Sequence, residues 1–199
     1  MKVIIVGGSG TIGRAVAKEM GLRHRVIVAA HRHGDVHVDI TDIASIEKMY
    51  KSIGEFDAVI ATTGKIQFAE LSAMTSEDYF YGLKDKLMGQ VNLVLIGKKY
   101  INDSGSFTLT SGILSHDPVK FGSSGSMVNS AINGFVIGAA IEMPRAIRIN
   151  AVSPTILEES MQAFGHCFHG FHPVPASRVA LAYSKSVEGL QTGQIYSVG

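Results

Sequence analysis

An apolar run, Lys2-Val3-Ile4-Ile5-Val6, breaks directly into Gly7-Gly8-Ser9-Gly10-Thr11-Ile12-Gly13, and this junction constrains the fold more than any other stretch of the chain. The β-branched run reads as a buried strand, which the glycines turn sharply into a helix opening at Thr11. Gly7, Gly10 and Gly13 fall three apart, so side chains are missing where a backbone must come close to something else. A strand-to-helix turn needs glycine for steric reasons alone. Here the turn also precedes the amphipathic set Ile12, Val16, Ala17 and Met20. Free N–H groups at such a helix start suit a pyrophosphate, with Ser9 and Thr11 as added hydroxyl donors. The expectation is a dinucleotide-binding turn.

Behind it, strand and helix signals alternate to the end of the chain. Strands are expected at Arg25–Ala30, Val36–Ile40, Asp57–Ala61, Ser106–Thr110, Arg148–Val152 and Gln194–Val198. Helical spacing marks Ile43 to Ile53, about Ser76 to Tyr100 with Thr75 and Asp78 at capping-box spacing, Ser126–Met143 before Pro144, and Ala176–Glu188. The pattern predicts an α/β fold: a Rossmann-like, doubly wound parallel β-sheet flanked by helices on both faces. With no linker or repeat, residues 1–199 read as one dinucleotide-binding domain.

Composition removes several classes of function. A hydrophobic content of 46% and a net charge of +1 exclude a disordered chain and a nucleic-acid surface. No uncharged apolar stretch approaches the ~20 residues of a membrane span, and the N-terminal run is too short for a signal-peptide core. A single cysteine, Cys167, excludes an internal disulfide framework and suits a reducing cytosol, so a cytoplasmic protein is expected. Charged residues are 18%, below the roughly 25% of soluble domains, which leaves room for a buried subunit interface. The small residues Ser130, Ala131, Gly134, Gly138, Ala139 and Ala140 point to close packing of one helix, on its own sheet or across such an interface.

Several motifs in order resemble the short-chain dehydrogenase/reductase family over nearly the whole chain. Val38-Asp39-Ile40-Thr41-Asp42 resembles the adenine-contacting segment, which implies that role for Asp39 and its neighbour Ile40. Ala61-Thr62-Thr63-Gly64 is similar to a degenerate Asn-Asn-Ala-Gly turn, and Thr108-Leu109-Thr110-Ser111 to the strand ending in the catalytic serine. Arg148-Ile149-Asn150-Ala151-Val152-Ser153-Pro154 resembles the segment lining the nicotinamide end, with Thr155 where glycine is usual, and Thr192-Gly193-Gln194-Ile195 resembles the closing strand. The resemblance implies a nicotinamide cofactor, a small-molecule substrate and a homodimer or homotetramer.

One motif departs from the family. Members carry Tyr-x-x-x-Lys about 13 residues beyond the serine; this window reads Ser123-Ser124-Gly125-Ser126-Met127-Val128-Asn129. One register puts Gly125 at the tyrosine and Asn129 at the lysine, and a register shifted by one puts Ser124 and Val128 there. Neither supplies a phenol or an ammonium. The family's active-site asparagine aligns with Lys86, a residue that burial could turn into a general acid or a holder of the ribose. Ser111 and Lys86 are the expected catalytic pair.

The second strand ends Ala29-Ala30-His31-Arg32-His33, with no carboxylate until Asp35. An acid there would hold a ribose 2′-OH, whereas Arg32, assisted by His31 or His33, suits a 2′-phosphate. NADP(H) is therefore expected over NAD(H). His166, Cys167, His169 and His172 have metal-ligand chemistry, but the segment also carries Phe164, Phe168 and Phe171 and falls where the family places its substrate lid, near 155–175. Aromatic packing over a pocket is the simpler expectation, without a metal. Two functions follow: an NADP(H)-dependent oxidoreductase acting on a small carbonyl or alcohol, or an NADP(H)-binding regulatory or interaction protein without turnover.

Overall fold

A computed structural model describes residues 1–199. Strands β1 (Lys2–Val6), β2 (Arg25–Ala30), β3 (Val36–His37), β4 (Phe56–Ala61), β5 (Ile101–Thr110), β6 (Arg148–Pro154) and β7 (Ile195–Val198) form one sheet. Their order is β3-β2-β1-β4-β5-β6-β7, and each neighbouring pair is parallel. The helices are α1 (Thr11–Gly21), α2 (Ile43–Ile53), α3 (Ser76–Gly82), α4 (Gly89–Gly97), α5 (Ser123–Ala140), α6 (Met161–Phe164) and α7 (Ala176–Glu188). None is long and apolar enough to cross a membrane.

Strand alternation divides the core into two layers. On β1, Ile4 and Val6 face α2, α4 and α5, meeting Ile46, Tyr50, Leu93 and Val128. Val3 and Ile5 face the opposite side and pack with Val16, Met20, Val179 and Tyr183 from α1 and α7. Both faces of the sheet are thus covered, which is why its strands read as continuous apolar runs. The doubly wound Rossmann-like architecture expected from the sequence is the one observed.

The boundaries differ where side chains override local propensity. The strand expected over Val36–Ile40 stops at His37, because the Asp39 carboxylate takes hydrogen bonds from the Thr41 N–H (2.9 Å) and hydroxyl (2.7 Å) and turns the chain. β5 begins at Ile101, before the expected Ser106, through an irregular stretch in which Ser104 has φ +60°. Helix α5 is displaced toward its N-terminus relative to the expected Ser126–Met143. It ends at Ala140, four residues before Pro144, whose ring would collide with that carbonyl. The helical region beginning at Ser76 has the expected Thr75–Asp78 capping box, but it ends at Gly97, and Leu83–Met88 is wound as a wider π-helix.

The chain reverses its direction of growth between β1 and β4, and parallel sheets bind ligands beyond the C-terminal strand ends at such a switch. The glycine turn after β1, the end of β2, the turn after β4 and the π-helix all meet there.

Candidate functional site

Two adjoining clefts open at these strand ends. The larger, about 720 Å³, is bounded by Gly7, Ser9, Gly10, His31, Arg32, Asp39 and Ile40 and by the Thr62–Lys65 turn. The smaller, about 310 Å³, continues past Ile12, Thr62, Thr63 and Gly64 to Lys86, Ser111, Asn129, Pro154 and the lid. Thr62, Thr63 and Gly64 border both and join them.

The glycine turn is built for close approach. Gly7 has φ +83°, and a Cβ there would lie 2.7 Å from the Thr62 carbonyl oxygen. A Cβ on Gly13 would lie 2.2 Å from the Gly7 oxygen, so the helix could not seat against the turn. α1 starts at Gly10 with no side-chain cap, which leaves its first N–H groups for an anion. Thr11, Gly13 and Ala61 belong to this scaffold without bordering either cleft. Ala61 is fully buried, with its carbonyl accepting the Thr110 hydroxyl at 2.5 Å.

At the far end, Arg32 and His31 are exposed on the cleft rim. The nearest acid of the β2 end, Asp35, has its carboxylate tied to the Val28 N–H at 2.9 Å, a contact of the β2–β3 connection outside the cleft. Asp39 does border the cleft, and the Thr41 hydrogen bonds hold its carboxyl below the usual carboxylate range. A cleft of this length and polarity, with an uncapped helix start and a cationic rim, fits a dinucleotide.

The smaller cleft holds the reactive side chains. Gly64, at φ +119°, has no room for a Cβ, which would stand 2.6 Å from the Lys86 stem. Glycine at this position therefore lets the π-helix pack close against the turn. The wide turn splits two neighbours: Asp85 accepts the Lys65 N–H at 2.8 Å in the larger cleft, while Lys86 enters the smaller one. The Lys86 ammonium donates to the Ser111 carbonyl at 2.9 Å and to Asn129 Oδ1 at 2.7 Å. Burial lowers its pKa from 10.5 to about 8. Ser111, just beyond β5, accepts the Gly112 N–H on its hydroxyl oxygen at 2.6 Å, leaving its own O–H free to donate.

The structure selects one of the two registers along α5. Val128 is fully buried in the core, whereas Asn129 borders the cleft. At Gly125 a Cβ would meet Ile66 and Leu114 at 2.8 and 2.9 Å, so apolar side chains already fill the space beside it. No tyrosine borders the cleft; Tyr183, near Thr110 Oγ1 at 2.6 Å, lies wholly buried between sheet and α7 with its pKa pushed up. The sequence offered Asn129 only as one of two positions for the family lysine, and its role as partner of Lys86 was not legible, because their meeting spans 43 positions.

The lid segment folds as short helical turns around α6, anchored by a bridge between Leu157 and Val174. Phe164 and Phe168 border the smaller cleft, and Phe164 packs against Phe68 at 5.8 Å between ring centres. The nearby His and Cys side chains do not converge into a metal-ligating group.

A family profile described as enoyl-(acyl carrier protein) reductase matches residues 11–192. A short-chain dehydrogenase/reductase of Stachybotrys chlorohalonatus is 27% identical, over 76% of this chain and 72% of that one. The solved structure of the protein lin1944 from Listeria innocua is 49% identical, covers 100% of both chains and superposes with a TM-score of 0.98. A small-chain dehydrogenase crystallised in complex with NADPH is 27% identical, with a TM-score of 0.88 over 100% of this chain and 96% of that one. Sheet order, glycine turn and these matches agree: the chain belongs to the short-chain dehydrogenase/reductase family of oxidoreductases.

Proposed function

We propose that the protein is an NADP(H)-dependent oxidoreductase that moves a hydride between the cofactor and a small, neutral carbonyl or alcohol substrate. The observation that carries this reading is the pair Lys86 and Ser111, two hydrogen-bond donors at the inner wall of a cleft continuous with the dinucleotide cleft. The cofactor supplies the hydride chemistry. Gly7, Ser9, Gly10 and the start of α1 would hold its pyrophosphate, Asp39 and Ile40 its adenine end, and Thr62, Thr63, Gly64 and Pro154 its inner end. Arg32 would take the 2′-phosphate, with His31 beside it. The tied carboxylate of Asp35 supports this preference, as does the NADPH-bound relative.

In the reductive direction, the Ser111 O–H polarises the substrate oxygen and the Lys86 ammonium donates the proton to it. The reverse reaction returns that proton to the Lys86 amine. Phe68, Phe164, Phe168, Ile66 and Leu114 exclude water, and no acid, arginine or histidine borders this cleft, which favours an uncharged substrate. The free Cys167 suits a cytosolic protein. A second copy of the chain is the proposed partner, on the face of α5 and the residue that follows it, where Ile137 (58%) and Ile141 (88%) are exposed and Gly134 and Gly138 have open space.

The second reading, a cofactor-binding regulatory protein, is favoured by the apolar filling beside Gly125, which leaves no phenol in the cleft. Fluorescence titration with NADPH and NADH, followed by a screen of aldehydes, ketones, quinones and imines for NADPH oxidation, separates them. Saturable NADPH binding with turnover is expected. Binding without turnover across the panel would favour the second reading, and no binding would end both.

A further inference from the structure

The contacts around Lys86 say how its ammonium is held. Three elements deliver them: the π-helix carries the stem, the end of β5 offers the Ser111 carbonyl at 2.9 Å, and α5 offers Asn129 Oδ1 at 2.7 Å. An ammonium can only donate, so the Asn129 amide must present its oxygen, and its Nδ2 is then turned toward Gly112. A Cβ on Gly112 would lie 2.8 Å from that nitrogen, so only glycine there leaves the amide room to stand in this orientation. Asn129 is only 3% exposed, and the missing side chain of Gly64 lets the Lys86 stem pass close to the turn after β4.

Both acceptors are neutral. Around Lys86, the turn after β4 contributes Thr63 and Gly64, β5 contributes Ser111, and α5 contributes Asn129, none of them titratable near neutral pH. Of the neighbours within the π-helix, Asp85 is engaged with the Lys65 N–H on the larger cleft, and Lys84 is exposed. The lid residues bordering the cleft are aromatic, aliphatic or hydroxyl-bearing.

We infer that Asn129 is a positioning residue: with the Ser111 carbonyl it clamps two N–H bonds of Lys86, so that the third is the one presented to a substrate oxygen. This rests on the proposed oxidoreductase function. A neutral clamp orients the ammonium while tightening its hold on the proton much less than a carboxylate in the same place, which would hold that proton at the pH where it must be released. The ammonium that the family's sequence pattern places on this helix is supplied here from the π-helix, and an amide stands opposite it. The contact is therefore reversed in its partners and suited to an acid that is itself a lysine.

The test titrates Lys86 directly and needs no substrate. The protein is acetylated briefly with acetic anhydride across a pH series, and the Lys86 peptide is quantified by mass spectrometry. In the unaltered protein, half-maximal reactivity is expected near pH 8. Asn129→Asp, nearly isosteric and so able to keep the packing, should raise that midpoint by one pH unit or more, a tenfold fall in labelling at pH 8. Asn129→Leu should lower it. With a substrate in hand, the alkaline limb of kcat should move the same way, and Asn129→Leu should lose about tenfold or more in kcat with NADPH affinity held within threefold. Unmoved labelling midpoints in both folded variants would overturn the clamp. If Asn129→Leu fails to fold, the Asn129→Asp midpoint alone decides. Moved midpoints in a protein that turns over nothing would retire the oxidoreductase reading and leave the clamp standing.

Discussion

Replacing Lys86 by Met should make stability depend on pH in a way that isolates this one group. Burial lowers the Lys86 pKa from 10.5 to about 8 in the folded protein, whereas the unfolded chain keeps the ordinary value. Between those values the unfolded state binds more protons than the folded one, so the Lys86 contribution to stability rises with pH. At pH 7 the shift corresponds to a penalty of about 3 kcal/mol, and most of it, roughly 2.5 kcal/mol, is relieved by pH 10. Met removes the penalty but leaves the Ser111 carbonyl and Asn129 Oδ1 without their donor, at about 1–3 kcal/mol each. The offset at any single pH is therefore uninformative, while the slope is not. Urea unfolding of both proteins at pH 7, 8, 9 and 10 gives the difference curve, in which all other titrations cancel. The unaltered protein should gain about 2 kcal/mol or more relative to Lys86→Met across that range. A flat difference curve would refute the idea that the Lys86 ammonium is buried at a cost.

Other outcomes follow from the same geometry. Arg32→Ala should weaken NADPH binding ten- to a hundredfold, for the loss of about 1.5–3 kcal/mol of charge-assisted hydrogen bonding, and leave NADH within about twofold in the same fluorescence titration. Gly13→Ala puts a Cβ 2.2 Å from the Gly7 oxygen; about 1–3 kcal/mol of overpacking should lower Tm by several degrees and remove saturable NADPH binding. Ser111→Ala should reduce kcat at least tenfold while NADPH affinity stays unchanged, since the lost donor faces the substrate cleft. Ile141→Asp, at a position 88% exposed just beyond α5, should shift the mass seen by light scattering from oligomer to monomer without altering the circular dichroism spectrum.

The sequence by itself determined what is written in short windows. Ile4 and Ile5 alternate between two buried faces, Gly7 and Gly13 are required within a single turn, and Thr75 and Asp78 cap a helix three residues apart; spacing alone exposes each. From the first two came the doubly wound sheet and the glycine turn that borders the larger cleft; the missing tyrosine was read separately, in the window from Ser123 to Asn129. Local reading misplaced the ends of β3, β5 and α5, where a side-chain turn, an irregular register and the reach of the Pro144 ring to the fourth carbonyl before it decided the boundary.

Only the tertiary structure decided what stands in the cleft. Lys86 is one of several lysines in a helical stretch, and 3.6-residue periodicity does not announce a π-helix that turns it inward while sending Asp85 the other way. Its partner Asn129 lies on another helix, and the register that brings it to the cleft could not be told from its neighbour by motif alone. The physical reason is range: a glycine turn is encoded by the residues that form it, whereas the state of a buried ammonium depends on which distant oxygens the packed chain brings within 3 Å.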